Sequence, residues 1–367
     1  MVAGMSASPF LTGSTLADGW PTTPVMAGLS AVPVGHALDL AGLFPMEADG
    51  RSDAVKAETR RHLGGCLTAV ETALRLTLEQ TPALAAALAQ SPDPLCWPTL
   101  CLRPALLSPG LLAHMRLRAA VGLLLRQYGM ATEATDEEGA RGDESGGDAD
   151  PALDGLASAL ALAEGRWAAL GGESQPMRPD LPAEYFAELV WIAAACLASA
   201  AGRSGDLPES AVIDRVGQAG SALLATHDEG TGPIAIADRL VRAMGGGADD
   251  QRLLGTALRQ RRFLLFAALA ARKARLATVD VIGALLTAPM GHGAALCRLL
   301  DASDSDYRHL LLALAPVRPF LTDAAMVAEA ERYQALTVEQ AEADVAILRA
   351  PAALRVKLDH LRRVREA

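Results

Sequence analysis

The chain has 367 residues, 51% of them hydrophobic but only 4% aromatic, and a formal net charge of −10. That length can bury one sizeable core or two smaller ones. The acidity argues against a broad nucleic-acid-binding surface, though not against a local basic face, and the scarcity of Ile, Phe, Tyr and Trp argues against strands.

Residues 1–50 read as a disordered or extended tail. Pro9, Pro21, Pro24 and Pro33, with Gly13, Gly19, Gly28 and Gly35, interrupt every possible element, leaving a brief helical turn around His36–Phe44. No Lys or Arg occurs there, so the positive start of a secretory signal is missing. Residues 51–130 read as an N-terminal helical part. Its first helix is predicted from Ser52 to Gln80, because Leu63, Cys66, Leu67, Val70, Leu74 and Leu78 form one stripe at three- and four-residue steps. Glu71 and Arg75 make an i,i+4 pair on another face. Short helices fit Pro82–Ala89 and the stretch from Asp93, then a long one runs from Pro109 to about Tyr128. Residues 131–150 are acidic, Gly-rich and without large apolar side chains, which predicts a flexible linker.

The remaining residues, 151–367, read as a C-terminal part resembling helical repeats. Helices are predicted over Pro151–Leu170, Leu181–Ala201, Pro208–Thr226 and Ile234–Met244. In the second of these, Phe186, Leu189, Val190, Ala193, Leu197 and Ala200 mark the buried side. Its apolar run, Leu189–Ala201, falls short of the roughly 20 residues that span a bilayer, so no membrane span is expected. After Gly245-Gly246-Gly247 a helix starts at Asp250, turns near Gln260-Arg261, and is followed by a helix over Arg262–Ala274. Thr278 is placed to cap a helix through Leu286. Further helices fit Gly293–Leu300, Asp304–Ala315, Asp323–Leu336 and Thr337 onward, the last with capping-box spacing to Gln340. Hairpins recurring about every 40 residues give the expected fold: all-α, a HEAT-like stack, with a compact helical bundle as the alternative.

Reactive constellations are hard to find. Five cysteines (Cys66, Cys96, Cys101, Cys196, Cys297) lack metal spacing and suit a reduced, cytoplasmic protein. No metal-binding helix motif, phosphate loop or nucleophile elbow occurs, so no metal, cofactor or catalytic residue is assigned. His227-Asp228-Glu229 reads as a solvated helix end, Gly291-His292-Gly293 as a turn, and Asp301, Asp304 and Asp306 as capping residues. Two basic clusters stand out. Arg259, Arg261, Arg262, Phe263, Arg272, Lys273 and Arg275 form the candidate partner contact. Arg349, Arg355, Lys357, Arg362, Arg363 and Arg365 decorate the C-terminal helix.

The stretches RPDLPAEYFAELVWIAAACLASA (Arg178–Ala200), LLGTALRQRRFLLFAALAARKARL (Leu253–Leu276) and the following VIGALLTAPMGHGAALCRLLDAS resemble alphaproteobacterial proteins carrying the domain of unknown function 2336. The resemblance covers most of residues 52–316. It implies an all-helical fold and supplies no activity, cofactor or catalytic residue. The family's helix–turn–helix element opens its second helix with a Phe, matched by Phe266, and has Gly in the turn, where this chain has Arg261. The resulting expectation is a non-enzymatic interaction or regulatory scaffold that offers a helical groove to another protein. The alternatives are a helical fold that binds or converts a small molecule in a central cavity, and a nucleic-acid-binding helix stack, which the net charge disfavours.

Overall fold

The computed structural model describes residues 34–44, 53–91, 93–135, 150–203, 207–318, 320–351, 354–355 and 358. Among the described residues the protein is all-α, with 16 α-helices and no strand. The tail expected over residues 1–50 needs correcting in its second half. Helix α1 (Val34–Leu43) lays Leu40, Leu43 and Phe44 into the core. His36 Nε2 lies 2.7 Å from the Leu107 carbonyl, and Arg116 donates to Asp39 at 2.9 Å. Apolar residues three and four apart make a short amphipathic helix worthwhile once a groove exists to receive it. The rest of that tail lies outside the described residues.

Helix α2 (Ala54–Leu78) starts at Asp53, whose carboxylate accepts from the Val55 N–H at 3.0 Å. The whole predicted stripe, Leu63 to Leu78, is buried. After α3 (Pro82–Ala89) and α4 (Cys96–Leu102) comes α5 (Pro109–Thr135), which runs past the expected start of the linker at residue 131. Residues 136–149 of that linker lie outside the described residues. Asp150 then caps α6 (Pro151–Ala168).

An irregular strap, residues 169–182, crosses α2 where Gly64 and Gly65 leave room. A Cβ on Gly64 would stand 2.2 Å from the Glu173 carbonyl oxygen, and one on Gly65 would stand 2.8 Å from that of Gln175. The Gly65 carbonyl accepts from Met177 N–H at 2.9 Å. Helices α7 (Ala183–Gly202) and α8 (Glu209–Ala225) complete the first core around α2, which also touches α4 and α5. In this half the helices surround a central one, as in a bundle. Helix α7 is long and apolar enough to cross a membrane, longer than the apolar run read from sequence. Its predicted side from Phe186 to Ala200 is buried in the first core, whereas Trp191, Ala195 and Ser199 are exposed.

The second core gathers α9 (Pro233–Ala243), α10 (Gln251–Arg259), α11 (Phe263–Ala274), α12 (Thr278–Leu286), α13 (Met290–Leu299), α14 (Asp304–Leu314) and α15 (Asp323–Ala335). Helix α16 (Val338–Arg349) packs on α13 through Ala295, Ala341 and Val345, after a capping box formed in both directions by Thr337 and Gln340. Two local expectations fail. Gly291-His292-Gly293 is the first turn of α13, started by Pro289. Thr278 does not cap α12: Ala277 holds that position, and the Thr278 hydroxyl donates to Asp238 at 2.5 Å.

The two cores do not divide at the acidic segment as the expected parts, residues 51–130 and 151–367, would. Helix α5 gives Leu111, Leu112 and Met115 to the first core and Leu117, Ala120, Val121 and Leu124 to the second. Leu181, α7 and α8, from beyond that segment, are integral to the first.

Candidate functional site

The candidate basic residues belong to the α10–α11 hairpin. Its turn is a Schellman cap: Arg261 N–H donates to the Leu258 carbonyl at 3.0 Å and Arg262 N–H to that of Ala257 at 2.9 Å. Arg261 holds φ at 59°, so the tight turn that a glycine would make is made here by arginine. The same closure recurs after α11, with Arg275 at φ 57°, and after α13, with Asp301 at φ 56°.

This geometry splits the candidate patch. Phe263 is buried in the second core. Arg259, Arg261 and Arg262 flank the first residue of α11, whereas Arg272, Lys273 and Arg275 sit at its far end, roughly 15 Å away along the axis. Within the first group the side chains diverge. Arg259 faces Asp306 at 3.8 Å. The charge of Arg261 acts on Tyr128 and that of Arg262 on Glu164, on α5 and α6; burial lifts Glu164 to about 7 against the pull of Arg262. In the second group Arg272 makes a two-pronged contact with Asp249 at 2.9 and 3.1 Å. Arg349, from the other basic cluster, reaches this same end and donates to the Ala274 carbonyl at 2.9 Å, while Arg355 pairs with Asp280 at 2.5 Å. Lys357, Arg362, Arg363 and Arg365 lie outside the described residues.

Beside Arg259 lies a feature the sequence does not announce. An open cleft of about 340 Å³ separates α10 from the turn between α13 and α14. Leu254, Leu258, Phe266 and Leu310 make its floor. Arg252 and Arg259 line the α10 side, and Asp301 and Asp306 line the other. The helical repeat explains this arrangement: Leu254 and Leu258 are one turn apart, and Arg252 and Arg259 two turns apart, on adjacent strips of α10. Asp301 is brought to the rim by its left-handed turn, and Asp306 by the Ser303 capping box. Cys297 lies at the base, where burial pushes its thiol up to about 12, so it stays protonated and unreactive at neutral pH.

The densest polar cluster is elsewhere, under the strap. Arg118 and Asp180, both fully buried, pair at 2.7 Å, and Asp180 also accepts from Trp167 Nε1 at 3.0 Å. Arg118 Nε donates to His62 Nδ1 at 3.2 Å, and His62 Nε2 lies 2.8 Å from Arg61 Nη2 and 3.0 Å from Glu58. Glu58 also receives Arg126 at 2.5 Å and a close Arg61 contact. Burial would raise the Glu58 pKa, but bonds from His62, Arg61 and Arg126 outweigh it and hold the carboxyl well below the ordinary range. Burial, aided by the charges of Arg118 and Arg61, lowers His62 to about 4, so it is neutral. These charges pair with one another and reach backbone carbonyls: Arg118 also donates to that of Arg178 at 3.0 Å and Arg126 to that of Ala168 at 2.9 Å. The cluster fastens the strap. His227-Asp228-Glu229 is likewise structural: His227 stacks on Phe186 at 3.8 Å, and Glu229 accepts from Ala183 N–H at 3.0 Å, at the start of α7.

Among the described residues no three His, Cys, Asp or Glu side chains group as metal ligands. The structure thus defines an all-α protein that carries an open, charge-rimmed cleft between helical hairpins. The chain matches no family model, no curated protein and no solved structure.

Proposed function

We propose that the protein is an interaction scaffold and that the cleft between α10 and the α13–α14 turn receives a segment of a protein partner. The observation that carries this reading is the cleft itself: an apolar floor with opposite charges on its two sides. Apolar floors gain by covering and charged rims set orientation, the division of labour found at protein interfaces. Its volume suits one or two side chains. The successive helices from α10 to α16, with tight turns after α10, α11 and α13, support a HEAT-like stacking of this half, and a cytoplasmic setting belongs to the same proposal. The basic groups at the two ends of α11 favour a nucleic-acid groove less, because several already answer to Asp306, Asp249 or Glu164.

The test places a photo-crosslinking residue at Thr256, in the cleft, and at Gln218, exposed on α8, and exposes each full chain to native lysate. A discrete protein adduct from position 256, absent from 218 and lost in an R252E/R259E background, is the expected result. Equal labelling from both positions, or none from 256, overturns the proposal.

A further inference from the structure

One face of the second core carries an apolar projection and an apolar recess side by side. Val317 and Leu321 are buried in that core, and between them the chain makes a tight turn, closed by the Leu321 N–H donating to the Arg318 carbonyl at 2.8 Å. Arg318 pins the turn to the end of α12: its Nε donates to the Leu285 carbonyl at 2.7 Å and its Nη2 to that of Ala284 at 3.3 Å. Phe320 stands on this turn and is 91% exposed, more than any other large apolar side chain among the described residues. Because the turn is anchored on both sides, the ring is presented in a fixed place, and covering it costs little further ordering. Beside it a pocket of about 440 Å³ opens between α15 and the turn that joins α12 to α13. Leu286, Met290, Leu321 and Ala325 line it; Phe320 lies at its lip with the ring left outside. An apolar cavity of about 150 Å³ already holds a benzene ring, so this one has ample room for a phenyl side chain.

The charges beside the two features are complementary. Arg332 stands at the rim of the pocket, where one of its nitrogens holds the buried Glu329 carboxylate at 2.5 and 2.9 Å, and 61% of its side chain remains exposed. The exposed charge that accompanies Phe320 is the carboxylate of Asp323, the first residue of α15. A fixed phenyl ring followed by an acid three residues on suits both the recess and Arg332, and this chain itself supplies that combination. The exposed apolar surface continues along α15 through Ala324, Val327 and Ala328.

We propose that this face is a homodimer interface, in which two copies related by a two-fold axis each insert Phe320 into the pocket of the other. A two-fold contact needs a patch complementary to itself, and a projection beside a matching recess is such a patch. Each Asp323 then approaches the partner subunit's Arg332, and the outward strip of α15 extends the contact around the anchor. An aromatic side chain seated in a pocket and ringed by polar groups is the arrangement that dominates binding energy at protein interfaces. The inference does not rest on the cleft beside α10, whose lining shares no residue with this pocket.

The experiment is sedimentation equilibrium on the purified full chain over a range of concentrations. The mass should rise from 38.1 kDa toward twice that value. Phe320→Glu removes the projection and Ala328→Arg obstructs the recess; both positions are exposed, so circular dichroism and the urea midpoint should stay as in the parent. Each variant should weaken dimerisation on the order of 100-fold or more, since two anchors are lost at once. Mixed in equal amounts, the two variants should associate again, because one native ring-in-pocket contact survives and the new carboxylate faces the new guanidinium at the other. A monomer at every concentration, a dimer indifferent to either substitution, or a mixture no tighter than its components overturns the proposal.

Discussion

Arg261 sits in the left-handed backbone region, which costs an L-residue with a Cβ roughly 1–2 kcal/mol. Replacing it with glycine removes that strain but adds about 0.4–1 kcal/mol of unfolded-chain entropy. The strain outweighs the entropy and the side chain is exposed, so Arg261→Gly should raise stability by about 0.5–1 kcal/mol. The midpoint of urea unfolding measures it; a drop would mean that what the Arg261 side chain contributes to the fold outweighs the strain. The position of this turn was legible in the sequence, because the Leu254–Leu258 stripe ends just before it and Phe263 begins the next. The two directions in which Arg261 and Arg259 leave the turn were not legible, since they depend on what α5 and α14 present. The same holds for Phe263, whose burial follows from the second core closing over the start of α11.

At the scale of elements, Gly64 and Gly65 weaken α2 by intrinsic propensity, and Gly64→Ala on an isolated helix would gain about 1 kcal/mol. In the folded protein the added methyl would meet a backbone oxygen at 2.2 Å, which no side-chain rotation can relieve. Overpacking of this kind costs typically 1–3 kcal/mol, so the clash prevails and Gly64→Ala should lower stability by up to about 2 kcal/mol. Limited proteolysis should also find the strap cut sooner than in the parent protein. An unchanged digestion pattern with a raised urea midpoint would show that the strap moves aside at no cost. Helix bounds such as Pro82–Ala89 were readable because prolines and a repeating apolar stripe announce them. The strap was not, because its anchors join residues far apart in sequence: His62 to Arg118, and Arg118 to Asp180. Nothing in the local pattern of charges shows which of them point inward. For the same reason the Glu71–Arg75 pair was found while its inward direction was missed.

For the whole molecule, the buried imidazoles set the response to acid. His62 and His114 are both lowered to about 4, chiefly by burial, with Arg118 opposing a second positive charge in each case. Below the unfolded value near 6.5, the unfolded chain takes up protons that the folded chain refuses until about pH 4. Stability therefore falls as pH drops through that window, by about 2 kcal/mol per histidine between pH 7 and pH 5. Glu58, held below its ordinary value, adds to the loss only under more acidic conditions, as pH falls below the unfolded carboxyl value. Urea midpoints at the two pH values test this: His114→Gln should remove about half of the difference. An undiminished difference in that variant would assign the acid response to other groups.

Helix α5 has a consequence for how the chain can be divided. It belongs by sequence to the first half, yet four of its side chains are part of the wall of the second core, while α7 and α8 belong by sequence to the second half and close the first. The halves are therefore interleaved, each holding a piece the other needs. A cut between Thr135 and Asp150 would yield fragments that cannot each fold to completion but are complementary. Expressed separately, they should assemble only when they meet, the first fragment bringing α5 to a second core that the other cannot close alone.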